Sequence, residues 1–410
     1  MSKQTFVIVG ASLAGAKAAQ ELRERGFDGR VVLVGSEPER PYERPPLTKD
    51  YLRGESEREK VYVHPAGYYD EHEIELLSDV TVTAIGPKAS VVVLEGGHEL
   101  AYDRLLLSTG SEPRRIPVAG EDLEGVYYLR TLADCDALRA RLDDGGRVAV
   151  IGAGLIGSEF AASARQRGLE VTVIDPVALP NERVFGAEIG AFYRDLHVRH
   201  GVRMLLGRGV HAFEGRKAVS RVKTDHGEIV ECDFVVVGIG ITPRDSLARD
   251  AGLEVGNGIV VNERLTTTAP DIFAAGDVAD AWNPFYQRPI RVEHWANALN
   301  QGPAAARAML GEDVSYDRIP YFFSDQYDVG MEYSGFAEQW DEVVFRGDRD
   351  AGEFVAFWLR EGRVVAGMNV NLWDVNQHVQ DLIRSRREVD VDALTDTATP
   401  LESLTPESAA

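Results

Sequence analysis

Two stretches of this chain repeat one pattern. Residues 7–19 read VIVGASLAGAKAA, and residues 147–175 read RVAVIGAGLIGSEFAASARQRGLEVTVID. Each opens as a short apolar strand, passes through a glycine-bearing turn and continues as a helix with apolar or small residues at helical spacing. Gly26 or Gly168 then stops the helix before a second strand. Strand, turn, helix and strand in that order begin a parallel sheet. The duplication therefore predicts an α/β chain with two Rossmann-like, doubly wound dinucleotide-binding domains.

Each position of such a turn has a physical task. The first glycine permits the tight turn, the second lets backbone approach a pyrophosphate, and the third lets helix and strand pack closely. The anion then sits at a helix N-terminus, where free N–H groups and the helix dipole favour negative charge. Gly152, Gly154 and Gly157 meet all three requirements. The first copy has Gly10 and Gly15 but Ser12 in the middle, with Ala14 beside it. A serine is tolerated there if the backbone is not in a glycine-only conformation. Asp175 ends the strand after the second turn, and Glu37 stands in the matching place after the first. A carboxylate there accepts hydrogen bonds from ribose hydroxyls and repels the extra phosphate of NADP, so NADH is favoured over NADPH. Two adenine dinucleotides are expected, most economically one flavin and one nicotinamide.

At 410 residues the chain has room for two or three domains, and 44% apolar residues supply their cores. RLLLSTGSEPRRIP (104–117) and FVVVGIGITPR (234–244) each read as a buried strand closing a unit. An alanine-rich helix is expected over 296–310. From about residue 320 the segments EVVFRG, EFVAFWLREG and RVVAGMNV predict an antiparallel sheet. The expected domains are 1–110 with 244–318, then 111–243, then a C-terminal α+β domain over 319–410 that ends in a loose acidic tail.

Net charge is −22, from 44 basic and 66 acidic residues, which argues against nucleic acid or an anionic membrane as partner. The longest apolar runs fall far short of the ~20 residues that cross a bilayer, and nothing reads as a signal peptide, so a cytoplasmic location is expected. Cys135 and Cys232 are the only cysteines and lie too far apart to form a C-x-x-C pair. No metal site is expected.

The two turns, together with ERPPLTKDYL (43–52), LSTG (107–110), YLRTLAD (128–134), GIGITP (238–243), IFAAGDVA (272–279), HWANALNQG (294–302) and FSDQYD (323–328), resemble the NADH-dependent ferredoxin reductases of bacterial oxygenase systems. These belong to the pyridine nucleotide-disulfide oxidoreductases but lack the redox disulfide, and apoptosis-inducing factor is a more distant look-alike. The resemblance implies a glutathione reductase-like fold, FAD as cofactor and NADH as cosubstrate. It places Gly10, Ser12, Ala14 and Gly15 at the FAD pyrophosphate, and Ser36 and Glu37 at the adenosine ribose. Val82 then lies near the adenine, while Arg44, Lys49, Thr109, Gly110 and Arg130 reach the FAD. Asp277 accepts from the ribityl chain, Trp295 lies near the isoalloxazine, and Glu293 and His294 also bind the cofactor. Gly152, Gly154, Ile156, Gly157, Glu159, Asp175, Arg183 and Gly240 serve the nicotinamide side. Lys49 and Glu159 are expected to pair as the catalytic couple, with the prolines of Arg44–Pro45–Pro46–Leu47 fixing an extended lead-in to Lys49.

Residues 36–60 contain no cysteine, which excludes the thiol chemistry of disulfide and peroxide reductases of this scaffold. The implied acceptor is a [2Fe-2S] or similar small acidic ferredoxin that feeds an oxygenase. An acidic reductase needs a local basic dock for it, and Arg183, Arg288, Arg291, Arg384, Arg386 and Arg387 are the candidates. The alternatives are a redox-sensing NADH–flavin protein of the apoptosis-factor kind, and an NADH oxidase or quinone reductase. Phe323 stands where the look-alikes commonly carry tryptophan.

Overall fold

The computed structural model describes residues 3–404, which divide into two compact units. One comprises the chain up to Pro45, then Glu57–Glu112 and Ile241–Arg318. The other comprises Pro46–Ser56, Pro113–Gly240 and the chain from Ile319.

The first unit is built on a five-stranded parallel sheet ordered Ile272–Ala274, Arg104–Leu107, Thr5–Val9, Arg30–Val34 and Ile74–Leu77. Its strands read as almost continuous Val, Ile and Leu because both faces are covered. On one face the helix Leu13–Glu24 packs against Trp295–Met309. The two approach so closely that a Cβ on Gly302 would stand 2.3 Å from the Ala14 carbonyl oxygen.

The second unit repeats this arrangement with Arg203–Leu206, Glu170–Asp175, Arg147–Ile151, Phe234–Val237 and Val126–Tyr128, all parallel. The glycine-turn strand is third in both sheets. The correspondence extends to single bonds: the Gly10 and Gly152 amides donate to the Val34 and Ile174 carbonyls at 2.8 and 2.9 Å. The fold is thus the doubly wound one expected from the repeat.

The second unit also holds the antiparallel sheet, ordered Tyr321–Gln326, Val329–Gly335, Arg363–Val370, Glu353–Arg360 and Glu342–Asp348. Phe185, Ile189, Tyr193 and Leu196 pack against its Phe322, Tyr333, Phe354 and Trp358, and the Trp358 indole N–H donates to the Phe185 carbonyl at 3.0 Å. That shared core makes the C-terminal sheet part of the same unit as the second parallel sheet. The stretch from about residue 396, expected to be loose, is tied down through residue 404. The Arg346 guanidinium donates to the carbonyls of Leu394, Asp396, Thr397 and Thr399, and Leu401 is buried. The rest of the expected tail, residues 405–410, lies outside the described residues. Among the described residues no helix is long and apolar enough to cross a membrane.

Candidate functional site

The two glycine turns differ in what each glycine does. Gly10 and Gly152 sit at φ +118° and +104°, and a Cβ on them would fall 2.1 Å from the Ser108 carbonyl oxygen and 2.3 Å from that of Gly238. Gly15 and Gly157 are excluded from carrying a side chain by the Gly10 and Gly152 carbonyls, at 2.1 and 2.0 Å. The middle position is unlike these. Ser12 has φ −121°, ψ −163° and Gly154 has φ −74°, ψ −178°, extended backbone that any residue adopts. Nothing lies within 4 Å of where a Gly154 Cβ would be, so the space above the second turn is open. Neither helix start is closed by a capping side chain. Both turns thus present helix N-termini to an anion, and the first accepts serine without strain.

In the first unit the expected cofactor residues group around its turn. Ala14 faces Gly276, whose amide donates to the buried Gln301 side chain at 2.8 Å. The Asp277 carboxylate accepts from Ser111 at 2.8 Å, and the Thr109 hydroxyl donates to the Arg244 carbonyl at 2.7 Å beside Gly110. Glu37 accepts from the Tyr42 hydroxyl at 2.5 Å and lies 3.7 Å from Arg44, which also donates to Tyr42. Burial raises the Glu43 carboxyl, opposed by a hydrogen bond from Trp295. Burial also pushes His294 down to about 4, with Asp277 pulling the other way. Val82 is buried in a separate antiparallel ribbon and Ser36 is exposed. Glu293 pairs with Arg291, whose side chain is only 7% exposed, so of the expected docking arginines this one does not face solvent.

In the second unit both Asp175 oxygens accept backbone amides, of Ala153 at 2.6 Å and Val177 at 2.7 Å. The carboxylate is therefore clamped against the turn. Ile156 stands at the helix start with 47% exposure, an apolar side chain facing open space. Arg183 is exposed on the short helix Glu182–Phe185, the Gly240 carbonyl accepts from the Arg114 amide, and the Arg130 amide donates to Asp134 in front of the helix Leu132–Asp143.

The most concentrated chemistry of this unit is a buried ion pair. Lys49 Nζ lies 2.7 Å from Glu159 Oε2, with side-chain exposures of 11% and 5%. Glu159 is in the first turns of the helix Leu155–Gln166, which packs on the strand Tyr321–Gln326. It also accepts from the Thr48 hydroxyl at 2.5 Å on the same oxygen and from the Ser324 hydroxyl at 2.7 Å on Oε1. A buried pair satisfied in this way avoids the large cost of an isolated buried charge. The Lys49 ammonium also stands 5.5 Å from the Phe323 ring centroid. Burial raises the neighbouring Asp325 carboxyl, with Lys49 opposing and Glu159 adding to the shift.

The lead-in to Lys49 differs from expectation. Pro45–Thr48 forms a 3₁₀ turn rather than extended chain. Proline φ suits either conformation, and tertiary contacts choose: Leu47 is buried, and the Thr48 carbonyl accepts from Ser163 at 2.6 Å. Tyr51 then anchors the segment through Asp136 and under Arg139. Thr48 and Ser324 touch Glu159 directly; both lie in stretches that carry the family resemblance, ERPPLTKDYL and FSDQYD, though neither stands out there as a site residue. Both cysteines are buried, and desolvation pushes each thiol up to about 12.

The chain matches the family model described as pyridine nucleotide-disulphide oxidoreductase over residues 4–302, and that described as reductase C-terminal over 321–405. It is 42% identical over 402 residues to the anthranilate 1,2-dioxygenase system ferredoxin–NAD(+) reductase component of Burkholderia cepacia, covering 97% of this chain and 96% of the other. It is 38% identical over 410 residues to putidaredoxin reductase CamA of Pseudomonas putida, covering 98% and 97%. Among solved structures, the reductase in the covalent putidaredoxin reductase–putidaredoxin complex superposes with a TM-score of 0.94 at 37% identity, covering 98% of both chains.

Proposed function

The chain belongs to the pyridine nucleotide-disulphide oxidoreductase family, among its FAD-dependent ferredoxin–NAD(+) reductases, and from that premise we propose how its residues divide the task. Its activity is electron transfer from NADH through FAD to a ferredoxin. FAD, when bound, supplies the exchange between two-electron hydride chemistry and one-electron release.

The turn of Gly10, Ser12, Ala14 and Gly15 holds the FAD pyrophosphate, with Ser36 and Glu37 at the ribose and Val82 toward the adenine. Arg44, Thr109, Gly110, Arg130, Asp277, Glu293, His294 and Trp295 complete the FAD site. The uncapped helix start at Ser12, with a hydroxyl that does not cap its own helix, supports the pyrophosphate assignment. The turn of Gly152, Gly154 and Gly157 receives NADH, with Ile156 exposed beside it at the helix start, Asp175 at the ribose, and Arg183 and Gly240 flanking. We accordingly assign residues 1–110 with 244–318 to FAD binding, apart from Pro46–Ser56, which falls in the second unit, residues 111–243 to NADH binding, and the antiparallel sheet that shares the second unit's core to the interface. The single observation that carries the catalytic reading is the Lys49–Glu159 ion pair, buried and hydrogen-bonded to the Thr48 and Ser324 hydroxyls. Lys49 presents its ammonium and Glu159 holds it in place, so the pair sets local potential and orients the nicotinamide without itself exchanging a proton.

The partner is a small acidic iron–sulfur ferredoxin serving an oxygenase; what supports this is that one relative is named for a ferredoxin and an anthranilate dioxygenase system and another for putidaredoxin. Arg183, Arg288, Arg384, Arg386 and Arg387, all exposed, are its basic contacts. Location is the cytoplasm. The test is cytochrome c reduction by the FAD-loaded chain and NADH. Fast turnover is expected only once a [2Fe-2S] ferredoxin is added, and equal turnover on oxygen or quinone without it would overturn the reading.

The open space over the second turn gives a narrower expectation. Gly154→Ala leaves FAD content and melting temperature unchanged but raises the KM for NADH about tenfold, because the new methyl occupies the line of pyrophosphate approach. Steady-state kinetics with NADH at fixed ferredoxin measure this.

A further inference from the structure

Glu159 is one end of a longer buried chain. Ser324 Oγ, bonded to Glu159 Oε1, also meets Gln326 Nε2 at 3.2 Å. Gln326 Oε1 lies 2.9 Å from His197 Nε2, and His197 Nδ1 lies 3.1 Å from the Tyr327 hydroxyl. Glu159, Ser324, Gln326 and His197 are all buried, and they come from three segments of the second unit.

The chemistry of these groups leaves one arrangement of protons. A carboxylate only accepts, so Ser324 must donate its single proton to Glu159. The Ser324 oxygen is then left to accept, which aims the amide nitrogen of Gln326 at it and the amide oxygen at His197. His197 Nε2 must therefore carry a proton, and Nδ1, unprotonated, accepts from Tyr327. Every donor along the chain points toward Glu159. Were His197 in the other tautomer, Gln326 would turn over and claim the Ser324 proton, and Glu159 would lose a donor at Oε1. Burial pushes the imidazole down to about 4, so the ring is neutral near pH 7.

The far end is held firmly. Tyr327 sits at φ +59°, a left-handed conformation unfavourable for a tyrosine, and its ring stacks on His200 at 3.7 Å between centroids. Such backbone persists where surrounding contacts over-determine it.

We propose that His197 is a positioning residue for the Lys49–Glu159 pair, acting through Gln326 and Ser324 to fix the donor at Glu159 Oε1. The proposal rests on the reading of that pair as the hydride-transfer machinery. Single-turnover reduction of the FAD-loaded protein by NADH tests it. His197→Phe keeps a ring but removes both nitrogens, and should slow reduction about 3- to 10-fold with NADH binding unchanged. His197→Gln, which can still donate to Gln326, should recover most of the rate. His197→Phe combined with Ser324→Ala should be no slower than Ser324→Ala alone, because the two act through one chain. Nitrogen-15 NMR of histidine-labelled, unsubstituted protein should find His197 neutral and protonated on Nε2, a readout independent of turnover and of how the variants fold. A wild-type rate in His197→Phe, multiplicative losses in the double variant, or an Nδ1-protonated ring would overturn the inference. If Lys49→Met also reduces at the wild-type rate, the reading of the pair fails; if Lys49→Met is slow while His197→Phe is not, only the role of His197 fails.

Discussion

Lys49→Met is expected to slow reduction of the bound flavin by NADH about 100-fold, the scale of removing one preorganised charge from a water-excluded site. The methionine fills nearly the same volume, so the loss would be electrostatic rather than steric. It leaves Glu159 as a buried carboxylate supported only by the hydroxyls of Thr48 and Ser324. Breaking a buried pair by deleting one partner also costs about 3 kcal/mol of stability, because the remaining charge is uncompensated. Stopped-flow loss of flavin absorption and thermal melting of the same sample measure the two effects separately. Reduction within about twofold of wild type would show that the pair is structural only, since a group that stabilises the reacting charge cannot be removed so cheaply.

Gly10→Ala should abolish FAD loading and most soluble expression. The added Cβ meets the carbonyl of Ser108 at 2.1 Å, and that carbonyl belongs to the chain leaving the neighbouring strand Arg104–Leu107. Backbone on both sides prevents relaxation, and φ +118° is strained for any side chain, so a loss above about 4 kcal/mol follows. Flavin absorbance per mole of purified protein is the measurement. Ser12→Gly is the contrasting control: both residues fit the extended backbone at that position, and full FAD occupancy would show that the hydroxyl is merely tolerated.

The doubly wound fold and both turns were legible because their information is local. A glycine turn, a helix stop and a run of Val and Ile lie within a few residues of one another, and the repeat at 147–175 removes the ambiguity of the first copy. Ser12 and Gly154 prove interchangeable in backbone geometry, so the departure from the glycine pattern marks no damage. Lys49 and Glu159 could be named as a pair only through a resemblance to proteins already known, since nothing within either segment points to the other.

Tertiary structure decided the rest. The ψ of Pro45–Thr48 is chosen by where Leu47 is buried and what Thr48 bonds, and these partners lie more than a hundred residues away in the case of Ser163. The hydroxyls of Thr48 and Ser324 and the chain through Gln326 to His197 belong to residues whose roles no local pattern announces, even where they sit inside a recognisable motif, and they are brought together by the packing of the helix Leu155–Gln166 on the strand Tyr321–Gln326. The sequence by itself determined the two nucleotide units and the absence of a cysteine pair, because short-range sterics and composition suffice for both. The surroundings of the buried charge were decided only by the fold, because a buried ion is satisfied by whichever polar groups long-range packing delivers to it.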